Sequence, residues 1–155
     1  MNTTQTKKGF TIIEVVLVLA IAGLIFLMVF IALPALQSGQ RDNARKNDVS
    51  IVASAVNTYT SGNRGLFPES GQLQEYATEL SDNTTPDQVV VKAYNASIPV
   101  SDAQIIVVPG AKCGSTGKKD SNGSASQTLS KGTKRQYVTI TLLEAGGGTS
   151  FCQDS

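Results

Sequence analysis

"KKGFTIIEVVLVLAIAGLIFLMVFIALPALQ", residues 7–37, holds one acid in a long apolar run. Between Gly9 and Gln40 the only charged side chain is Glu14. A carboxylate at the centre of a membrane helix costs on the order of 2.5–3.5 kcal/mol on insertion scales. The uncharged stretch Val15 to Leu36 is 22 residues long. As a helix it reaches roughly 33 Å, enough to cross a hydrocarbon core of about 30 Å. A signal-peptide core runs only about 7–15 residues, and no A-x-A site closes this one. The preceding residues, MNTTQTKKG, are short, polar and basic.

Beyond Gln40 the chain turns polar but keeps a helical period. Asp42 and Lys46 stand four apart in the order that favours a surface ion pair. Val49, Val52, Ala53, Val56 and Tyr59 then form an apolar stripe. One helix is therefore expected from about Phe10 to about Tyr59, ended by Ser61-Gly62 and Gly65. Gly23, Pro34 and Gly39 interrupt its helix-forming pattern. Pro34 lacks an N–H, so the carbonyl of Phe30 loses its partner. This predicts a kink or a meltable stretch, with an ordinary membrane-helix proline as the alternative. A short helix follows from Ser70, as its cap, to about Leu80. Strands are expected at 88–94, 104–108 and 137–143, from their β-branched content. In the last, Tyr137, Thr139 and Thr141 alternate with Val138, Ile140 and Leu142, as in a half-buried strand. The Gly/Ser/Lys-rich segment 110–136 reads as a long loop.

The fold class is α+β. A long N-terminal helix, with a membrane-like apolar half and an amphipathic half, is expected to pack under a small antiparallel sheet. The divisions are a leader at 1–9, an apolar helix at 10–36 and a globular domain at 37–155. That domain is long enough for a modest core.

Composition narrows the function. The 155 residues contain no histidine, which removes the commonest general base and metal ligand. No phosphate-binding glycine loop, catalytic triad or acid pair appears, so no enzyme and no cofactor is implied. Cys113 and Cys152 are not spaced as a redox or zinc pair. In an exported domain two cysteines most simply form one disulfide, with two separate thiols as the alternative. Charges are nearly balanced, 13 basic to 12 acidic, but segregated. Residues 65–103 hold Glu69, Glu75, Glu79, Asp82, Asp87 and Asp102 against Lys92 alone. Residues 112–135 hold Lys112, Lys118, Lys119, Lys131, Lys134 and Arg135 against Asp120 alone. These are either two solvated faces, complementary subunit surfaces, or a patch for polyanions. Asp120-Ser121-Asn122-Gly123 has the wrong glycine position for an EF-hand loop and reads as a polar turn. Asn83, Asn95 and Asn122 open sequons that chance explains in so polar a chain.

Lys7-Lys8-Gly9-Phe10-Thr11-Ile12-Ile13-Glu14 resembles the processing site of type IV pilins and pseudopilins. A basic leader ends in Gly, an aromatic residue follows, a glutamate stands four positions on, and a long apolar run begins. The resemblance covers residues 1 to about 60 and beyond that only the general layout. It implies cleavage between Gly9 and Phe10 by a membrane prepilin peptidase, and N-methylation of Phe10. It implies export from the cytoplasmic membrane, where Lys7 and Lys8 hold the leader in the cytoplasm. Assembly into an extracellular helical homo-oligomer would use a platform protein and an ATPase. The positive-inside count does not fix orientation, because Arg41, Arg45 and Lys46 flank the other end. Cleavage creates an amine on Phe10, with an ordinary pKa of about 7.7–8.0. In an apolar fibre core that amine and Glu14 of the next subunit would compensate each other and set the register, as a single buried polar pair does in a coiled coil. In the family the helix-breaking proline usually falls a few residues before the position of Pro34. The resemblance thus implies a pilin for adhesion or twitching motility. The other member role is a minor pilin or pseudopilin of a DNA-uptake or type II secretion machine. In that role Lys118, Lys119, Lys131, Lys134 and Arg135 would contact phosphates. Some secretion pseudopilins bind calcium in a C-terminal loop.

Overall fold

The computed structural model describes residues 9–82, 84–102 and 104–155. Its layout is α+β and pilin-like: a long N-terminal helix followed by small, mostly antiparallel sheets. Helix α1 covers Ile12–Gly62 and α2 covers Ser70–Tyr76. The strands are β1 Val89–Val91, β2 Ser97–Ser101, β3 Ile105–Pro109, β4 Ala111–Cys113, β5 Ser124–Lys131, β6 Tyr137–Leu143 and β7 Thr149–Asp154. The chain divides into two compact units, Met1–Gln37 and Ser38–Ser155.

Within the first unit, the described residues contain the apolar part of α1. Its large side chains are exposed along its length, from Ile12 at 85% to Leu36 at 64%. The helix is continuous through Gly23 and Pro34, and α1 also includes Gly39 of the second unit. One proline removes one hydrogen bond, and the turns on either side keep theirs.

Within the second unit, α1 ends where expected. Gly65 N–H donates to Thr60 O at 2.8 Å, and Leu66 N–H to Asn63 O at 3.1 Å. The short helix α2 stops at Tyr76, earlier than Leu80, and Ser70 is its first residue rather than its cap. Gln72 Oε1 accepts the Glu69 N–H at 3.0 Å. Ser70 Oγ instead accepts the Val91 N–H at 2.8 Å, which fastens α2 to β1.

The single antiparallel sheet becomes two sheets. One has the order β1-β3-β6-β7, the other β2-β5-β4. β1 and β3 run parallel, with Val89 opposite Ile105, and the remaining pairs are antiparallel. The unit has three layers. Val49, Val52, Ala53 and Val56 of α1 pack with Ile105, Val107 and Tyr137 of the first sheet. Ile106, Val108, Val138, Ile140 and Leu142, from the other face of that sheet, pack with Ile98, Val100, Ala125 and Leu129 of the second. β3 is therefore buried on both faces, which explains its unbroken IIVV run. β6 is likewise buried on both faces rather than half-buried.

The segment read as a loop, 110–136, supplies β4 and β5. In β5 the inward positions are Ala125, Gln127 and Leu129, small or polar enough to hide the alternation. Gly114, Gly117 and Gly132 serve close backbone approach: a Cβ on Gly117 would overlap the Ser126 carbonyl. β2 carries Pro99, which an edge strand tolerates.

Candidate functional site

The start of α1 is built by Thr11 and Glu14. Thr11 N–H and Oγ1 both donate to Glu14 Oε2, at 3.1 and 2.9 Å. The Glu14 N–H lies 3.4 Å from Thr11 Oγ1. This reciprocal arrangement is a capping box, with an acid at the positive end of the helix. Thr11 was not singled out in the sequence, although T-x-x-E ahead of an apolar run is its signature. Phe10 is 89% exposed. Gly9 has no positive φ, and a Cβ there would meet nothing within 4 Å. The fold itself therefore places no demand for glycine at position 9. Lys7 and Lys8 lie outside the described residues.

Cys113 and Cys152 form a disulfide with Cα atoms 5.9 Å apart. It joins β4 to β7, and so staples the two sheets. On the chain-entropy model a loop of this length contributes about 4 kcal/mol.

Two acids of α1 act inside the second unit. Asp42 is buried and does not pair with Lys46. Its oxygens accept the N–H groups of Glu144 and Ala145 at 2.6 and 2.8 Å, while Lys46 lies over the Phe151 ring at 5.6 Å. The long-range backbone donors are fixed and desolvated, so they outcompete a flexible surface lysine. Asp48, fully buried, accepts the Ser81 N–H at 2.8 Å and the hydroxyls of Ser81 and Thr84 at 2.6 Å each. Arg45 donates to Leu142 O at 2.5 Å and pairs with Glu144 at 2.9 Å. Arg41 pairs with the same carboxylate at 2.7 Å. Nothing in the sequence pattern marked these long-range partners.

The five basic residues named from the sequence are dispersed. Lys119 pairs with Asp102. Lys118 belongs to an isolated bridge with Thr149, and Lys131 ends β5 opposite Ala111. Lys134 and Arg135 lie on the β5–β6 turn, where they line a cleft with Arg64, a residue the sequence reading passed over. Tyr137, at the floor of that cleft, donates to Ala53 O at 2.8 Å. Burial pushes its phenol up from the usual tyrosine range, against a smaller opposing effect of Asn57. Asp120 forms a polar turn, its Oδ1 accepting the N–H groups of Asn122 and Ser124 at 2.9 and 3.0 Å. No group of three or more acidic or Cys side chains suited to a metal occurs among the described residues. Of the sequon asparagines, Asn83 lies outside the described residues.

Residues 4–30 match the family model described as the prokaryotic N-terminal methylation motif, the class III leader signature of type IV pilins. No curated protein and no solved structure matches the chain. The motif supports a type IV pilin-like or pseudopilin precursor and suggests a structural subunit, and the apolar helix and the disulfide fit that reading. The leader implies prepilin peptidase processing and filament assembly in general, from a membrane-anchored precursor.

Proposed function

We propose that this chain is a structural pilin whose mature form, beginning at Phe10, polymerises through the apolar part of α1 into an extracellular filament for adhesion or twitching motility. The observation that carries this reading is the start of α1. A capped glutamate stands four residues after Phe10, and a helix with more than twenty residues of exposed apolar surface follows. Such a surface needs a covering, either lipid or other apolar helices. In the precursor lipid covers it. In the filament the helices of neighbouring subunits do.

The role of Glu14 follows from the same geometry. Thr11 holds its carboxylate at the head of the helix, close to where cleavage leaves a new amine. An incoming subunit's Glu14 meets the Phe10 amine of a subunit already in place, and their pairing fixes the axial step. Gly9 answers to the peptidase rather than to the fold, since the fold leaves it room.

The test is mass spectrometry of the N-terminal peptide from filaments sheared off cells. A peptide that begins at Phe10 and carries one added methyl is the expected result. An intact Met1 leader, found only in membranes, overturns the reading and leaves a plain membrane anchor. Abundance in the sheared fraction separates a major pilin from a minor pilin or pseudopilin. That second reading draws its support from the cationic cleft at the end of α1.

A further inference from the structure

Among the described residues of the second unit two large apolar side chains stand exposed, Leu66 at 69% and Tyr76 at 45%. Each stands beside charges of one sign that have no partner in their own copy.

Leu66 closes the turn after α1, its N–H donating to Asn63 O at 3.1 Å. Arg64 of the same turn lines a cleft with Lys134 and Arg135. Those two form the centre of the β5–β6 turn, which Gln136 braces. The Gln136 N–H donates to Thr133 O at 3.1 Å, and Gln136 Oε1 accepts the Thr133 N–H at 2.8 Å. Among the described residues none of the three cations has an ion-pair or hydrogen-bond partner for its side chain, whereas Arg41, Arg45 and Lys119 are all paired.

Tyr76 stands at a groove of about 360 Å³ between α1 and the end of α2. Its ring meets Tyr59 edge-on at 5.5 Å, which fixes its position. Ile51 and Ala55 supply the apolar part of the α1 wall, beside Ser54 and Thr58. Those hydroxyls donate back to their own helix, Ser54 to Ser50 O at 3.0 Å and Thr58 to Ser54 O at 2.9 Å. They are therefore already satisfied, and an apolar side chain can cover them without orphaning a donor. Glu79 lines the groove and Glu75 adjoins Tyr76 in α2. Both are exposed, and neither carboxylate has a partner among the described residues.

The cations alone would suit any polyanion. Leu66 would gain nothing from one, because its side chain gains only from an apolar surface that covers it. A groove with an apolar wall and an acidic rim meets both needs, and this chain carries one. The groove and the cleft share no lining residue. Their α1 residues, Ile51, Ser54, Ala55 and Thr58 against Asn57, Thr60 and Ser61, fall on different faces of the helix at its 3.6-residue period. A contact between copies is therefore head-to-tail. It leaves one patch free on each copy, the arrangement that extends into rings or helical filaments.

We propose that Leu66 of one copy seats in the groove between α1 and α2 of a second copy, with Arg64, Lys134 and Arg135 facing Glu75 and Glu79 around it. This docking names the surfaces of the second unit that meet, and it rests on the filament reading for its setting. The braced turns on one side and the stacked ring on the other leave little to order on contact.

The test uses the full chain in detergent micelles, which cover the apolar part of α1 and leave the second unit free. The photo-crosslinker p-benzoylphenylalanine takes the place of Leu66. Irradiation is expected to give a covalent dimer in which position 66 of one copy is joined to residues 50–58 or 76–79 of the other, as mapped by mass spectrometry of the linked peptides. Glu75→Lys/Glu79→Lys should lower the dimer yield about tenfold, because like charges then face each other across the contact. Lys134→Glu/Arg135→Glu should lower it likewise. The chain carrying all four reversals should regain most of the yield, which guards against a loss caused by misfolding. The proposal is overturned if no dimer forms, if position 66 links to position 66 as in a two-fold contact, or if the four reversals together restore nothing. A loss confined to the Lys134/Arg135 variant also overturns it, since those cations would then serve a different ligand. Micelles hold no filament, so the two readings fail separately. A chain that docks here but keeps its Met1 leader in cells overturns the filament reading alone, and a processed chain that does not dock overturns this proposal alone.

Discussion

The two halves of α1 share one backbone and differ in what covers them. Before Gln37 every large apolar side chain is exposed, and the only charge is a glutamate at the helix head. After Ser38 only one stripe, Val49, Val52, Ala53 and Val56, is apolar, and it is buried beneath a sheet. The acids divide the same way. Among the described residues Glu14 bonds to Thr11, three residues away. Asp42 and Asp48 bond to groups 33 to 103 residues distant. The first half is thus an apolar surface left uncovered within its own unit. The second half is an ordinary core helix. Apolar content does not make that distinction. The periodicity of the apolar residues does, together with the location of the partners that satisfy each acid.

The sharpest way to break this contrast is to exchange the acids' fates. Glu14→Ala is expected to abolish filaments at unchanged protein level, while leaving the unfolding midpoint of the domain unaltered. Asp48→Ala should do the reverse, costing the domain about 3 kcal/mol because three charge-assisted hydrogen bonds are lost and a buried N–H is orphaned. Filament yield by shearing and denaturant unfolding by tyrosine fluorescence read the two effects. If Glu14→Ala destabilises the domain instead, its role is folding and not assembly.

The disulfide belongs to the second half alone. Cys113→Ser/Cys152→Ser should cost about 2–5 kcal/mol of domain stability. Leader removal, followed by the mass of the N-terminal peptide, should continue.

A smaller pair of changes probes the coverings directly. Val52→Ala removes two methyl groups from a closed core and should cost about 2 kcal/mol. Leu17→Ala deletes more apolar surface, yet it should leave the domain's midpoint within about 0.5 kcal/mol. An equal loss from both would show that the first half of α1 is part of the domain's own core.

The smallest effect concerns Tyr137, which links β6 to the Ala53 carbonyl of α1. Its phenol is raised by burial, so the folded state prefers the neutral form. The stability this provides is complete below the ordinary tyrosine pKa of about 10 and is lost as pH rises through the folded-state value. Tyr137→Phe should cost about 1 kcal/mol near neutrality and flatten the alkaline limb of the unfolding curve. An unchanged alkaline limb assigns that loss to other groups.

Much of the candidate site is written locally. The leader glycine, the aromatic residue after it and the T-x-x-E box fall within six consecutive residues, and a helix start needs no distant partner. The length of the apolar run and its lack of a polar face likewise follow from the order of residues. The cysteine pairing was legible because only two were present in a chain of exported character. The tertiary structure decided the rest. It turned the 110–136 segment into β4 and β5, whose inward residues are too small and polar to signal burial. It set β1 parallel to β3, a choice made by long-range pairing rather than by either strand. It withdrew Asp42 from Lys46, because backbone donors a hundred residues away were better placed. It also brought Arg64 beside Lys134 and Arg135, which lie some seventy residues apart in sequence. The sequence by itself determined what each segment must hide and what chemistry its start could do. Only the folded chain decided which distant groups met, because those contacts depend on long-range geometry that no local pattern encodes.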